Sequence, residues 1–237
     1  MISLCIPCHR GGPRLKRLLA SLPSDDSDLE LLVYDDGSPE ADGADIVRAF
    51  ATAPVVRKRL LHNARKRGPV AALRDVVAAS RGEIVLQLDD DVLVPPGLFE
   101  VVRRLFAIDN VGVLSWRSEG SRPGQSNVAR PGFLQPATEL AGYCLAYRRA
   151  VYDEVGGIDA RFSFYCSDSD FTLRVALAGH PCYRVWWPLV PHEEHGSVAD
   201  SAARQATAQR DLAAFKEKWG ADGAEMERRA LARFLEG

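Results

Sequence analysis

Apolar runs of strand length alternate with helix-like stretches from the first residues through Trp116, and this alternation constrains the fold more than any other feature of the chain. Ile2–Ile6, Leu29–Tyr34, Val55–Leu61, Glu83–Leu88 and Val111–Trp116 read as strands. Pro13–Leu22, a segment through Ile46 and Phe50, Val70–Ser80 and Pro96–Ile108 read as helices between or after them. Such alternation implies βαβ units and a mostly parallel sheet. The strands are nearly unbroken apolar runs, which suits a sheet covered by helices on both faces. The pattern changes after Trp116. Arg117–Gly132 is rich in Gly, Pro, Ser and Arg and reads as a loop, long enough to be more than a connection. Thr138–Val190 is mixed, with a helix near Asp168–Ala178 and a strand near Cys182–Trp186. From Ala199 onward the chain reads as two helices broken near Gly220–Gly223.

In a parallel α/β sheet, ligands bind beyond the carboxyl ends of the strands. The polar clusters fall there: Pro7-Cys8-His9-Arg10 after the first strand, Asp35-Asp36-Gly37-Ser38 after the second, Asp89-Asp90-Asp91 after the fourth. Adjacent carboxylates repel, so three in a row at a strand end require a cation or hydrogen-bond donors. An oxygen-rich set of this kind suits Mg²⁺ or Mn²⁺ held together with phosphate oxygens. Basic residues gather at Arg57, Lys58, Arg59, Arg65, Lys66 and Arg67 with no acid among them. This stretch reads either as a solvated surface or, at Lys66 and Arg67, as a contact for a diphosphate.

Composition excludes several alternatives. The 30 basic and 32 acidic residues leave a net charge of −2, which argues against a general nucleic-acid footprint. No run of about 18 apolar residues exists, so no transmembrane segment is expected. The opening MISLCIPCHR lacks the basic and long apolar regions of a signal peptide. With an odd count of five cysteines, this sets the expectation of reduced thiols and a cytoplasmic location. The Cys5-x-x-Cys8 pair lies on a strand with Pro7 inside it and lacks a second ligand pair, so packing is preferred over zinc or redox chemistry. His192-Glu193-Glu194-His195 is not a zinc-protease motif, because its histidines are three apart rather than four.

Five segments together resemble a known family: ISLCIPCHR, LELLVYDDGS, ASRGEIVLQLDDDVLVPPGL, AYRRAVYDEVGGIDARF and SDSDFTLRVALAG, in that order. The chain resembles a family 2 glycosyltransferase of the GT-A fold, an inverting transferase that uses a nucleotide-sugar donor. The resemblance runs from the first strand to about residue 197. It implies an α/β fold with a Rossmann-like, mostly parallel sheet flanked by helices. The GT-A domain would span 1–198, with a nucleotide-binding half to about 116 and an acceptor half over 133–198; 199–237 would be a C-terminal helical extension.

The same resemblance implies roles. Pro7, His9 and Arg10 would line the base and ribose, and Asp36 would accept a hydrogen bond from the base. Asp89 and Asp90 would lie near the ribose and diphosphate, and Asp91 would bind Mn²⁺ or Mg²⁺. His192, or else His195, would complete the metal site. Tyr143 would wall the donor-sugar pocket, and Asp168 would be the catalytic base. Ser167 stands where the family often has Glu, and Asp170 reads as a helix-start or acceptor-supporting residue. A UDP-sugar is favoured by family habit, with GDP and dTDP open. The acceptor would be a carbohydrate, lipid-linked or other glycan hydroxyl. Peripheral contact with the inner face of the membrane stays open, as does oligomeric state. Trp186 and Trp219 read as packing residues. A catalytically silent sugar-nucleotide or partner-binding module on the same fold is the alternative. A related nucleotidyltransferase is disfavoured by the absence of a G-x-G-T-R-type loop.

Overall fold

A computed structural model describes residues 1–108, 110–118, 133–193 and 202–220 of the 237. Among these residues eight strands form one mixed sheet: β1 Ile2–Cys8, β2 Leu29–Asp35, β3 Arg57–His62, β4 Ile84–Leu88, β5 Val113–Trp116, β6 Leu134–Pro136, β7 Cys144–Arg148 and β8 Cys182–Val185. Their spatial order is β3-β2-β1-β4-β7-β5-β8-β6. The first four run parallel, as the alternation predicts. Between β4 and β5 the sheet takes in β7 antiparallel to both. β7 lies inside the segment that reads as mixed, and β6 falls just before it, where the sequence marks no strand.

Among the described residues seven helices flank the sheet: α1 Gly12–Ala20, α2 Glu40–Ala51, α3 Pro69–Ala79, α4 Leu98–Phe106, α5 Arg149–Glu154, α6 Ser167–Leu177 and α7 Ala202–Trp219. In α1 the buried Leu15, Leu18 and Leu19 recur at the helical period, with Pro13 in the first turn where its missing N–H costs nothing. Two apolar layers result. Leu15, Ile46, Phe99 and Val102 pack on one sheet face with Ile2, Leu4 and Ile6. Val76, Phe171 and Val175 pack on the other with Cys5 and Leu32. Each buried Leu, Ile or Phe contributes about 1.5–3 kcal/mol. Cys5 and Cys8 belong to different layers, so they point away from each other and cannot share a cation.

The expected strand from Val55 begins instead at Arg57, and it lies at the sheet edge. Charge on an edge strand discourages further pairing. Its basic residues also have local work. Lys58 Nζ donates to the carbonyls of Phe50, Ala51 and Ala53 at the end of α2 (2.8–3.2 Å), and Arg59 pairs with the buried Glu30 at 2.8 Å. The expected second C-terminal helix, most of the Arg117–Gly132 loop and His195 lie outside the described residues. Among the described residues no helix is long and apolar enough to cross a membrane.

Candidate active site

Parallel pairing brings the ends of β1, β2 and β3 level, with Cys8 opposite Asp35 and Asp35 opposite His62. The turns that follow therefore meet. His9 Nδ1 lies 3.0 Å from the Asp36 carbonyl oxygen, and the Arg10 N–H donates to Ser38 Oγ at 2.9 Å. The Arg10 side chain is exposed and reaches Asp42 of α2. Asp36 is almost fully buried, and its two carboxylate oxygens accept the N–H groups of Arg67 (2.8 Å) and Gly68 (2.7 Å). That bond pair folds the 65–68 turn over Gly37. At φ +65 Gly37 favours a residue without Cβ, and a Cβ there would sit 2.4 Å from the Arg65 and Lys66 backbone. Pro7, His9, Arg10, Asp36, Lys66 and Arg67 thus lie on or beside adjoining turns. The exposed Arg67 guanidinium pairs with Asp75 of α3.

The three aspartates after β4 separate. Arg14 of α1 grips Asp90 with both ends of its guanidinium, at 2.9 and 3.0 Å. Gly11 makes room for that carboxylate: a Cβ on Gly11 would lie 1.8 Å from Asp90 Oδ2. Asp89 and Asp91 turn instead toward His192, and one ligand atom from each of the three lies within 4.8 Å of the others. A short backbone ladder fixes His192 there. Val92 bridges His192, the Leu93 N–H donates to the Pro191 carbonyl and the Glu193 N–H to the Asp91 carbonyl. The Tyr143 ring stacks on the imidazole at 4.5 Å and 9°, while its hydroxyl donates to the Trp116 carbonyl.

The donor set fits a divalent cation. Asp91 Oδ1 is buried without a hydrogen-bond donor, although His192 Nε2 lies 3.1 Å away. Burial and the charge of Asp91 push the Asp89 carboxyl up to about 7, with His192 opposing and Asp90 and Asp168 adding. The Asp89 side chain is nonetheless exposed, so the crowding of like charges from Asp91 and Asp90 dominates over loss of water. A cation placed among these groups reverses that crowding. Two carboxylates and an imidazole are ligands that Mn²⁺ accepts readily.

Asp168 stands in the first turn of α6. Its Oδ2 accepts the Gly142 N–H at 2.9 Å and its Oδ1 accepts the Ser169 N–H at 2.8 Å. Burial raises its pKa above the ordinary carboxylate range, opposed by those same N–H bonds. Gly142 and Tyr143 run between Asp168 and the Asp89–Asp91–His192 cluster: the Asp89 N–H donates to the Tyr143 carbonyl at 2.9 Å. A Cβ on Gly142 would come within 3.3 Å of Asp168 and Gln87, so the glycine permits this approach.

Residues 3–170 match the model of glycosyl transferase family 2. The chain belongs to this family. Its mixed sheet flanked by helices is the GT-A fold. A mannosyltransferase from Pyrobaculum calidifontis, solved with GDP-Man and Mn²⁺, superposes with a TM-score of 0.68 at 19% identity, over 84% of this chain and 59% of that one. TarS 1–349 of S. aureus with UDP-GlcNAc superposes with a TM-score of 0.65 at 18% identity, over 84% and 61%. The uncharacterized protein y4gI of Sinorhizobium fredii is 30% identical over 221 residues, covering 80% of this chain but 24% of that protein. The chain therefore spans about three fifths of these structural neighbours and about a quarter of that relative.

For a family 2 chain the sequence had divided the acids differently. It placed Asp89 with Asp90 beside the donor and Asp91 with His192 on the metal; the structure brings Asp89 to Asp91 and His192 and engages Asp90 with Arg14. The signal was present in the two-residue spacing, since alternate residues of an extended segment share a side. Tyr143, expected as a pocket wall, supports His192. Arg14 gave no signal on its own. Trp219 packs against the second core layer, as expected, and its Nε1–H also donates to Asp170.

Proposed function

We propose that the chain is a metal-dependent inverting glycosyltransferase that moves a sugar from a nucleotide-sugar donor to an acceptor hydroxyl in glycan or glycoconjugate synthesis. The observation that carries this is the Asp89–Asp91–His192 cluster joined through Gly142 and Tyr143 to the half-buried Asp168. Asp168 would accept the proton of the acceptor hydroxyl as its oxygen bonds to the anomeric carbon and the bond to the diphosphate oxygen breaks. A carboxyl raised by burial is a better base than an ordinary one. A single displacement of this kind inverts the anomeric centre and requires no glycosyl-enzyme intermediate.

Asp89, Asp91 and His192 would hold Mn²⁺ or Mg²⁺, which when bound neutralises charge on the leaving diphosphate. The turns carrying Pro7, His9, Arg10 and Asp36 would hold the base and ribose, with Lys66 and Arg67 beside the diphosphate. We take a UDP-sugar as the first donor to test, with GDP- and dTDP-sugars beside it. A cytoplasmic location, with peripheral membrane contact left to a lipid-linked acceptor, accords with the five free cysteines.

Nucleotide release from a panel of UDP-, GDP- and dTDP-sugars, with Mn²⁺ and with chelator, tests the reading. Turnover of one donor with Mn²⁺ and its loss with chelator support it; no binding or turnover of any donor sinks it. Asp168→Asn should bind the nucleoside diphosphate as the parent does and lose about 10²–10⁴-fold in turnover. Full activity in that variant moves the base elsewhere.

A further inference from the structure

The single fully buried residue of α7 is a carboxylate, Asp211. Burying a charge is costly, and an apolar residue of similar volume often serves folding as well or better. Asp211 instead spends its Oδ2 on three consecutive backbone donors: the N–H groups of Ser163 (3.1 Å), Phe164 (2.9 Å) and Tyr165 (3.0 Å). These belong to the irregular segment that leads into α6. The next residue, Cys166, takes the left-handed conformation at φ +61 and starts the helix that bears Asp168.

A second tie lies on the other side of the base. Buried Asp170 accepts the Trp219 Nε1–H at 2.9 Å and contacts Lys218 Nζ at 2.6 Å, while its other oxygen accepts from Arg174. Asp211, Lys218 and Trp219 are seven and eight positions apart, which puts them on one helix face two turns apart. One helix thus grips the chain on both sides of Asp168.

Resting on the transferase reading, we propose that Asp211 is a positioning residue that fixes the Asp168 carboxylate against its Gly142 contact by holding the 163–165 backbone. Asp211 touches no reacting atom. Its action is through the entry of α6, and the Trp219–Asp170 bond completes the hold. A base displaced by about 1 Å loses rate steeply while donor binding, built on other strand ends, is preserved.

The test uses the full chain and the donor that turns over fastest with Mn²⁺, read as nucleotide release. Asp211→Asn keeps the shape but removes the charge that organises three N–H donors. We expect kcat to fall about tenfold or more, with donor KM and the affinity for the matching nucleoside diphosphate with Mn²⁺ within about twofold. In an Asp168→Asn background the same change should cost no more than about twofold, because the group it positions is gone. Equal losses in both backgrounds, a loss confined to donor affinity, or unchanged kcat each overturn the proposal. If Asp211→Asn does not fold, Trp219→Phe is read instead, with about a threefold kcat loss expected and the same non-additivity; full activity there overturns the proposal. An inactive parent overturns the transferase reading and this role with it, whereas an active parent with unchanged variants overturns this role alone.

Discussion

Asp90 and Asp91 are neighbours in the chain with separate duties. Asp90 is held by Arg14, from a helix 76 residues earlier, and Asp91 faces Asp89 and His192. Two substitutions separate the duties. Asp91→Asn should abolish Mn²⁺ binding in a calorimetric titration, because a neutral amide replaces an anionic ligand on a hard cation. Asp90→Asn should leave that titration intact and lower stability by about 1–2 kcal/mol in urea unfolding, since it breaks a half-buried bidentate pair. Equal loss of metal binding in both would put Asp90 on the metal as well. The carboxylate cluster and Asp168 were both singled out by the sequence because they stand at strand or helix starts within recognisable segments. The two-residue spacing carried a signal for Asp89 with Asp91, but the engagement of Asp90 was not legible, since it depends on an arginine that arrives only through tertiary packing.

At the scale of elements, local pattern read the parallel half well and the rest less well. The strands β1, β2 and β4 are apolar on both faces, and the helices after them carry apolar residues at the helical period. β7 is as buried as these, yet its five residues sit between loop and helix without an alternation to mark them. Its pairing with β4 and β5 is set by long-range register, which no local window contains. That strand delivers Tyr143 and Gly142 to the site. The basic run at 57–67 divides on folding: Lys58 closes the end of α2, where the helix presents unpaired carbonyls. Lys58→Met should therefore cost about 1 kcal/mol in chemical denaturation and leave nucleotide release unchanged. A cost within error would mean the three carbonyls are equally well served by water.

Across the whole molecule, α7 packs Phe215 and Trp219 on the second core layer and adds ion pairs beside them, and these pairs give the chain an acid-sensitive seam. Lys218 reaches both Asp159 (2.8 Å) and Asp170 (2.6 Å). Burial raises the Asp159 carboxyl, but the Lys218 hydrogen bond, the Arg161 N–H and the charges of both residues outweigh it and hold the group at about 2, against 3.8 unperturbed. A carboxyl depressed on folding contributes stability that is present above its unfolded value and is lost as pH falls through the folded value. The window is therefore about pH 4 down to about pH 2. Asp159 and Lys218 are each about one fifth exposed, so screening reduces the contribution to about 1–2 kcal/mol. Asp159→Asn should be less stable than the parent by that amount near neutral pH, and the gap should close as both are titrated toward about pH 2. Urea unfolding of the pair across this range checks it. A gap that stays constant with pH would mean that Asp159 acts through its shape and hydrogen bonds alone, and that its tie to Lys218 of α7 is not electrostatic.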